Sequence, residues 1–229
     1  MIDRFLLDAD ETILDFVRSS RESFAYAMAQ AGAPELGADY PRFKSINDEL
    51  WRAYERGEVT KPQLMRERFA RFFAQAGKAG QDAEAVNAVY FRTLCRTGYL
   101  LPGARGFIEA LSRRGRVYLI TNGTGAAQYG RLEAVGLREA FAGIFVSDEV
   151  GFAKPDKRFF DIVLEKAGAV PSQCAVIGDS LTSDMAGAKN AGIVGIWYNA
   201  RGQEGAEGFD YAARSYEEVL AVVDSLRGV

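Results

Sequence analysis

The sequence contains no histidine, and this absence excludes several kinds of active site. A chain without imidazole has no Ser-His-Asp or Cys-His catalysis, no histidine-ligated zinc and no histidine general base. Cysteine is scarce as well, because only Cys95 and Cys174 occur and they are too far apart to form a CxxC motif. We expect both to be ordinary buried thiols. Any polar chemistry must therefore rest on other side chains.

Long apolar runs and basic tracts are also missing. No stretch is apolar for long enough to span a bilayer, and the N-terminus shows no signal-peptide pattern. The net charge is −3 and no helix is rich in arginine, which argues against nucleic acid as a partner. We expect a protein of the reducing cytoplasm that binds neither membrane nor nucleic acid, and that is either a monomer or a homodimer.

The part of the chain after residue 100 alternates between short apolar runs and amphipathic segments. Runs such as 117–120 and 175–177 have the length of strands, and helical patterns such as 104–113 and 156–167 separate them. A further apolar run at 5–7 adds a strand near the N-terminus. This alternation predicts an α/β, Rossmann-like fold, with a parallel sheet that carries helices on both faces.

A helical segment is inserted directly after the first predicted strand. Apolar residues recur there at spacings of three and four, which predicts four helices packed as a small bundle. Thr60 and Gln63 form a capping-box pattern that marks the start of the third helix. We therefore predict an α/β domain of residues 1–14 and 98–229, and a helical domain of residues 15–97.

Chemically capable side chains gather where the predicted strands end. The first strand ends in Asp8 and Asp10, whose carboxylates share one side because strand side chains alternate. In an open parallel sheet, ligands bind beyond the carboxyl ends of the strands. Two adjacent acids there repel each other unless a cation joins them or one of them is protonated. The other polar residues expected at this edge are Thr121, Asn122, Lys154, Asp179 and Asp184.

These residue types favour a hard cation and a phosphate group as ligands. Four carboxylates without histidine or cysteine suit Mg²⁺ better than zinc. Thr121 and Asn122 lie where a strand passes into a helix, and a hydroxyl and N–H groups at such a place suit phosphate. Lys154 would add a positive charge. Simpler interpretations stay open, with Asp184 as an acid at a helix N-terminus and Lys154 as a solvated loop lysine.

Four short motifs, in this order, resemble those of the haloacid dehalogenase superfamily of phosphohydrolases. They are DADET (8–12), ITNG (120–123), the lysine of GFAKPD (151–156) and GDSLTSD (178–184). The resemblance covers the whole α/β domain, and the inserted helices resemble the type 1 cap of that family. It implies an enzyme that hydrolyses phosphomonoesters with Mg²⁺. Asp10 favours a phosphatase, because the dehalogenases of the family lack this second acid.

The resemblance also implies a role for each matched residue. Asp8 would be the nucleophile that forms an aspartyl-phosphate, and Asp10 would be the general acid and then the base. The implied phosphate-binding residues are Thr121, Asn122 and Lys154. The implied metal ligands are Asp8, the carbonyl of Asp10, Asp179 and Asp184, the last directly or through water.

The implied substrate is a small phosphorylated metabolite. The chain is most similar to the house-cleaning pyrimidine 5′-nucleotidases of bacteria, through DADET, the run from Asn47 to Gly57, the pair Arg68-Phe69 and DEVGFAKPD (148–156). A nucleoside 5′-monophosphate is therefore the expected substrate. The alternatives are a sugar-phosphate or phosphoglycolate phosphatase, a β-phosphoglucomutase-like isomerase, and a binding module without activity. Phe16, Trp51 and Tyr54 could stack on a base, although helical spacing favours core packing for Trp51 and Tyr54.

Overall fold

The computed structural model describes residues 1–228, and the chain within it forms two compact units. The α/β unit contains Met1–Asp15 and the chain from Tyr99 onward, and the helical unit is Phe16–Gly98. In chain order the helices are α1 (Phe16–Gln30), α2 (Tyr40–Glu55), α3 (Lys61–Gln75), α4 (Ala83–Leu94), α5 (Ala104–Ser112), α6 (Gly125–Ala134), α7 (Ser147–Val150), α8 (Lys157–Ala167), α9 (Ala186–Ala191) and α10 (Tyr216–Arg227).

The described part of the α/β unit is built on a six-stranded parallel sheet. Its strands are β1 (Arg4–Asp8), β2 (Arg116–Thr121), β3 (Gly143–Val146), β4 (Cys174–Gly178), β5 (Val194–Tyr198) and β6 (Tyr211–Ala213). Their order is β3-β2-β1-β4-β5-β6, so β1 lies in the middle, between β2 and β4. Asp8 pairs with Ile120 and Leu7 with Ile177. This register brings the ends of β1, β2 and β4 together at one edge.

Strand residues alternate between two apolar cores, one on each face of the sheet. Phe5 and Leu7 pack with α5 and α10, whereas Leu6 packs with α8 and α9. Because both faces are covered, the strands appear in the sequence as continuous apolar runs. The predicted fold class, a parallel sheet with helices on both faces, is confirmed.

The helical segment leaves and re-enters the α/β unit at adjacent points. The Asp15 N–H donates to the Tyr99 carbonyl at 2.9 Å, and the Leu101 N–H donates to the Ile13 carbonyl at 2.9 Å. The two hydrogen bonds join the chain segment before the insertion to the segment after it. Residues 16–98 are therefore accommodated without interrupting the sheet.

Aromatic side chains form the core of the helical unit. The ring centroid of Phe43 lies 4.8 Å from that of Phe24 and 4.7 Å from that of Phe69. The capping box predicted at Thr60 and Gln63 is confirmed at the start of α3. The unit also contains a 3₁₀ helix, Pro34–Asp39, where the sequence indicates only a break between helices. That this unit serves as a cap stays a prediction.

Trp51 and Tyr54 are partly buried and pack against this aromatic core. Their rings meet edge to face, with centroids 5.7 Å apart. The Lys61 ammonium lies 5.8 Å from the Trp51 centroid and 5.2 Å from the Tyr54 centroid. Trp51 and Tyr54 therefore pack at the margin of the core, as their helical spacing predicts.

Two segments near the carboxyl edge of the sheet differ from the sequence prediction. Ser147–Val150 is a short helix, where the sequence indicates only a strand end and a turn. Leu181–Met185 is a π-helical turn before α9, whereas the sequence predicts a regular helix over 183–191. In this wide turn the Met185 N–H donates to the Ser180 carbonyl at 3.1 Å. Such turns are often found at functional sites, because they redirect one side chain without ending the helix.

The two cysteines differ in their burial. Cys174 is buried, as expected, whereas Cys95 is only partly buried. Burial raises the pKa of Cys174 to about 11, which keeps this thiol protonated and unreactive near neutral pH.

Among residues 1–228, no helix combines the length and the apolar character that a membrane span requires.

Candidate active site

Lys154 lies at the carboxyl edge of the sheet, with its ammonium group between two carboxylates. Its Nζ donates to Asp8 Oδ1 and to Asp184 Oδ1, at 2.6 Å in each case. A third hydrogen bond, to the Ile120 carbonyl at 3.2 Å, uses the last of its three donors. The side chain is only 2% exposed. The interpretation of Lys154 as a solvated loop lysine is therefore wrong.

Asp179 joins Asp8 and Asp184 in a group of three carboxylates. One oxygen from each lies within 4.8 Å of the others. Burial raises the pKa of Asp8 to about 7, because the cost of desolvation outweighs the attraction of Lys154, which also serves Asp184. Burial, together with the charges of Asp8 and Asp184, raises the pKa of Asp179 well above its usual range. Three acids beside one ammonium group leave an excess of negative charge.

This arrangement fits a divalent cation such as Mg²⁺. The three side chains offer only carboxylate oxygens, which are the ligands that hard cations prefer. Lys154 pairs with Asp8 and Asp184, but no salt bridge within residues 1–228 includes Asp179. A cation placed among the three would neutralise the charge that raises the pKa values of Asp8 and Asp179.

A glycine makes room for Asp184. A Cβ atom on Gly178, at the end of β4, would lie 2.2 Å from Asp184 Oδ2, which is much closer than atoms approach. Without that atom, the same oxygen accepts the Ser180 N–H at 3.1 Å. Asp184 is fully buried and directed toward Lys154. The simpler interpretation, in which Asp184 only stabilises a helix N-terminus, is therefore wrong.

The main chain at Asp179 is fixed from two sides. Its N–H donates to Thr12 Oγ1 at 3.1 Å, and its carbonyl accepts the Trp197 indole N–H at 2.9 Å. Thr12 is anchored in turn, because its carbonyl accepts the Tyr216 hydroxyl at 2.8 Å. The hydroxyl of DADET thus connects the end of β1 to the end of β4.

Thr121 and Asn122 lie beside Lys154 at the end of β2. Thr121 is 1% exposed, and its hydroxyl oxygen accepts the Gly123 N–H at 3.0 Å, which directs the hydroxyl hydrogen elsewhere. The Asn122 amide holds the Lys154 peptide at both ends: its Nδ2 donates to the Lys154 carbonyl and its Oδ1 accepts the Lys154 N–H, each at 2.8 Å. Direct binding of phosphate by Asn122 stays a prediction, and the contact that the structure contains is with Lys154.

The Asp10 side chain lies apart from the three-carboxylate group and has its own partners. Arg131 Nη1 donates to Asp10 Oδ1 at 2.5 Å, and Gln128 Nε2 donates to Asp10 Oδ2 at 2.6 Å. A role of the Asp10 carbonyl as a metal ligand stays a prediction. Neither Gln128 nor Arg131 is recognisable as functional from the sequence alone. Their signal is weak: they lie three positions apart on a predicted helix, among residues that the sheet would bury.

The chain belongs to the haloacid dehalogenase-like hydrolase family, whose sequence model matches residues 2–192. Its sequence is 34% identical over 195 residues to the HAD-hydrolase YfnB of Bacillus subtilis, covering 85% of this chain and 83% of YfnB. A crystal structure of YfnB bound to magnesium superposes with a TM-score of 0.90 at 31% identity, covering 97% of this chain and 99% of YfnB.

Two further relatives are named for an activity. The chain is 33% identical to the pyrimidine 5′-nucleotidase YjjG of Escherichia coli, over 90% of each chain. It is 32% identical to the pyrimidine 5′-nucleotidase PynA of Streptococcus pneumoniae, over 98% of this chain and 96% of PynA. The recognition made from the four motifs is therefore confirmed, and the protein is a hydrolase.

Proposed function

We propose that this protein is a Mg²⁺-dependent phosphomonoester hydrolase that works through a phosphorylated Asp8. The observation that carries the proposal is the Lys154 ammonium between Asp8 and Asp184, with Asp179 beside them. Phosphoryl transfer requires alignment of the reacting oxygens and neutralisation of negative charge. A buried cation against a cluster of acids supplies both requirements, without the histidine that the chain lacks.

In the first half of the reaction, a carboxylate oxygen of Asp8 attacks the phosphorus of the substrate. The bond from phosphorus to the ester oxygen breaks as the new bond to Asp8 forms, and a proton from Asp10 passes to the leaving oxygen. The products are an alcohol and an aspartyl-phosphate. Lys154 orients Asp8 through the 2.6 Å hydrogen bond to Oδ1.

In the second half, Asp10 accepts a proton from water as the water oxygen attacks the same phosphorus. The bond between phosphorus and Asp8 breaks, which releases inorganic phosphate, restores the Asp8 carboxylate and leaves Asp10 with its proton for the next cycle. The Thr121 hydroxyl donates to a phosphoryl oxygen during both halves, and the Lys154 ammonium does so by giving up its 3.2 Å hydrogen bond to the Ile120 carbonyl. Asn122 supports this site through its two hydrogen bonds to the Lys154 peptide.

Mg²⁺ would be held by the carboxylates of Asp8, Asp179 and Asp184 and by the Asp10 carbonyl. Bound there, it would neutralise phosphoryl charge in the transition state. This assignment is supported by the buried acidic group and by the oxygen-only donor set.

The proposed substrate is a nucleoside 5′-monophosphate with a pyrimidine base. Support comes from the similarity to YjjG and PynA over almost their full lengths. A second candidate is another small phosphate ester, because the chain is also 31% identical to a phosphoserine phosphatase of Thermus thermophilus, over 84% of this chain and 86% of that enzyme. The helical unit would act as the cap that selects the substrate.

A panel of phosphate esters tests the substrate. With Mg²⁺ present, we expect faster phosphate release from uridine and thymidine 5′-monophosphates than from sugar phosphates or phosphoserine. Preference for a sugar phosphate would keep the mechanism and change the substrate. Conversion of one sugar phosphate to another without phosphate release would indicate an isomerase, and inertness toward every ester would favour a binding module.

Removal of metal is expected to abolish turnover and to lower stability. Chelation with EDTA should stop phosphate release, and Mg²⁺ should restore it. Because the metal would bind only the folded chain, Mg²⁺ at a hundredfold excess over its dissociation constant should raise the free energy of unfolding by about 2.7 kcal/mol. Thermal unfolding with and without Mg²⁺ measures this effect independently of activity.

Two variants control the metal experiment. Asp179→Asn should remove most of the thermal shift, whereas Asp161→Asn should leave it unchanged, because Asp161 is an exposed residue of α8 that pairs with Lys157. Metal-independent turnover by the wild-type protein, or an equal shift in Asp179→Asn, would contradict the assignment.

A further inference from the structure

The Asp10 carboxylate is held at both of its oxygens by one helix. Arg131 Nη1 donates to Oδ1 at 2.5 Å and Gln128 Nε2 donates to Oδ2 at 2.6 Å. The two donors lie three positions apart on α6, so they project from the same face of the helix. A carboxylate with a separate donor on each oxygen cannot rotate about its Cβ–Cγ bond without breaking a hydrogen bond.

Both donors are buried, whereas the carboxylate that they hold is not. Gln128 and Arg131 are each 1% exposed, and the Asp10 side chain is 30% exposed. The rigid part of this arrangement is thus the helix, which is anchored in the core through Leu132. The exposed part is the group that has to reach a substrate.

Gly123 provides the space that Gln128 needs. A Cβ atom at position 123 would lie 2.3 Å from Gln128 Nε2 and 2.9 Å from its Cγ. A side chain there would displace the amide from Asp10. The ITNG motif therefore supports the acid–base residue as well as the phosphate-binding edge.

We propose that Gln128 and Arg131 are positioning residues, which orient the Asp10 carboxyl group so that its proton can pass to the leaving oxygen. The proposal rests on the role of Asp10 in the proposed function. A general acid must lie within hydrogen-bond reach of the atom that it protonates. An aspartate in the loop after a strand otherwise samples a broad range of terminal rotations. The two donors of α6 restrict that range.

The test compares two phosphate esters whose leaving groups differ in their need for a proton. The nucleoside leaving group of uridine 5′-monophosphate requires a proton, whereas nitrophenolate leaves 4-nitrophenyl phosphate without one. Values of kcat/KM report the steps up to transfer of the phosphoryl group. In Gln128→Leu and Arg131→Met, we expect kcat/KM to fall about tenfold more for the nucleotide than for the nitrophenyl ester. Asp10→Asn should show the same selectivity to a greater extent.

The matched control is Arg105→Met. Arg105 donates from Nη2 to the Val135 carbonyl, at the end of α6, at 2.5 Å, so it contacts the same helix without contacting Asp10. Its substitution should leave the ratio of the two kcat/KM values unchanged. Arg131→Lys keeps a cation near Asp10 and should restore part of the ratio. Gln128→Leu removes no charge from the core, so this variant tests the positioning role even if Arg131→Met is poorly folded.

The pattern of kcat/KM losses separates the positioning role of Gln128 and Arg131 from the proposed function. Equal losses on both esters would overturn the positioning role and leave the proposed function intact, because general damage to the site lowers both values together. A wild-type protein that hydrolyses neither of these esters nor any other ester of the substrate panel would overturn the proposed function and the positioning role with it. A selective loss that grows from Gln128→Leu to Asp10→Asn would support both.

Discussion

Asp8→Asn is expected to reduce phosphate release by a factor on the order of 10⁴ or more, which is typical of losing a nucleophile. Asparagine has nearly the same shape and keeps an oxygen that can accept the hydrogen bond from Lys154, but its amide does not attack phosphorus. The substitution also removes one charge from a crowded group, in which burial already raises the pKa of Asp8 to about 7. The thermal midpoint of the metal-free protein should therefore not decrease.

The chain offers a matched control for this variant. Asp161 pairs with Lys157 at 2.5 Å on the exposed surface of α8, so Asp161→Asn makes the same chemical change in another aspartate–lysine pair. Its turnover should equal that of the wild type. Turnover of Asp8→Asn within about tenfold of wild type would exclude Asp8 as the nucleophile.

Lys154→Met is expected to abolish turnover and to destabilise the metal-free protein by about 3–5 kcal/mol, because breaking a buried ion pair leaves carboxylates without a partner. Burial alone would lower the pKa of Lys154, but Asp184 and Asp8 raise it above the usual 10.5. A lysine whose pKa is raised by folding stabilises the fold fully below the unfolded pKa. The contribution is therefore complete at pH 7 and is lost only in strong alkali.

Urea-induced unfolding of three variants measures this effect. Lys157→Met changes an exposed lysine three positions away and should shift stability by less than about 0.5 kcal/mol. Combining Lys154→Met with Asp184→Asn should recover part of the lost stability without any activity, because the surplus carboxylate is then neutral. If Lys154→Met unfolds at the same urea concentration as wild type, Lys154 does not neutralise the acidic group.

The fold and much of the site could be predicted because the relevant signals are local. Apolar runs of strand length identify the sheet, and the polar residue that ends each run identifies its carboxyl edge. This reasoning alone predicts that Asp8 and Asp179 lie together. The capping box of α3 is local in the same way, since Thr60 and Gln63 contact each other across three positions.

The remaining details depend on contacts between distant parts of the chain. Asp10 is 118 positions from Gln128 and 121 from Arg131, so no spacing pattern connects them. The need for glycine at position 178 becomes visible only when Asp184 is placed against it. The π-helical turn that directs Asp184 likewise reflects this buried contact, because helical periodicity alone predicts a regular helix.

The central claim is that the phosphoryl group passes through Asp8, and trapping that intermediate tests it most directly. Asp10→Asn, mixed with 4-nitrophenyl phosphate and Mg²⁺, should form the aspartyl-phosphate and hydrolyse it slowly, because the leaving group needs no acid but the water needs a base. Acid quenching, pepsin digestion at low pH and mass spectrometry should find the phosphoryl group on the peptide that contains Asp8, and should find none there in Asp8→Asn. A phosphoryl group on another residue, or turnover of the wild type without any covalent phosphate in quenched samples of either protein, would contradict the account.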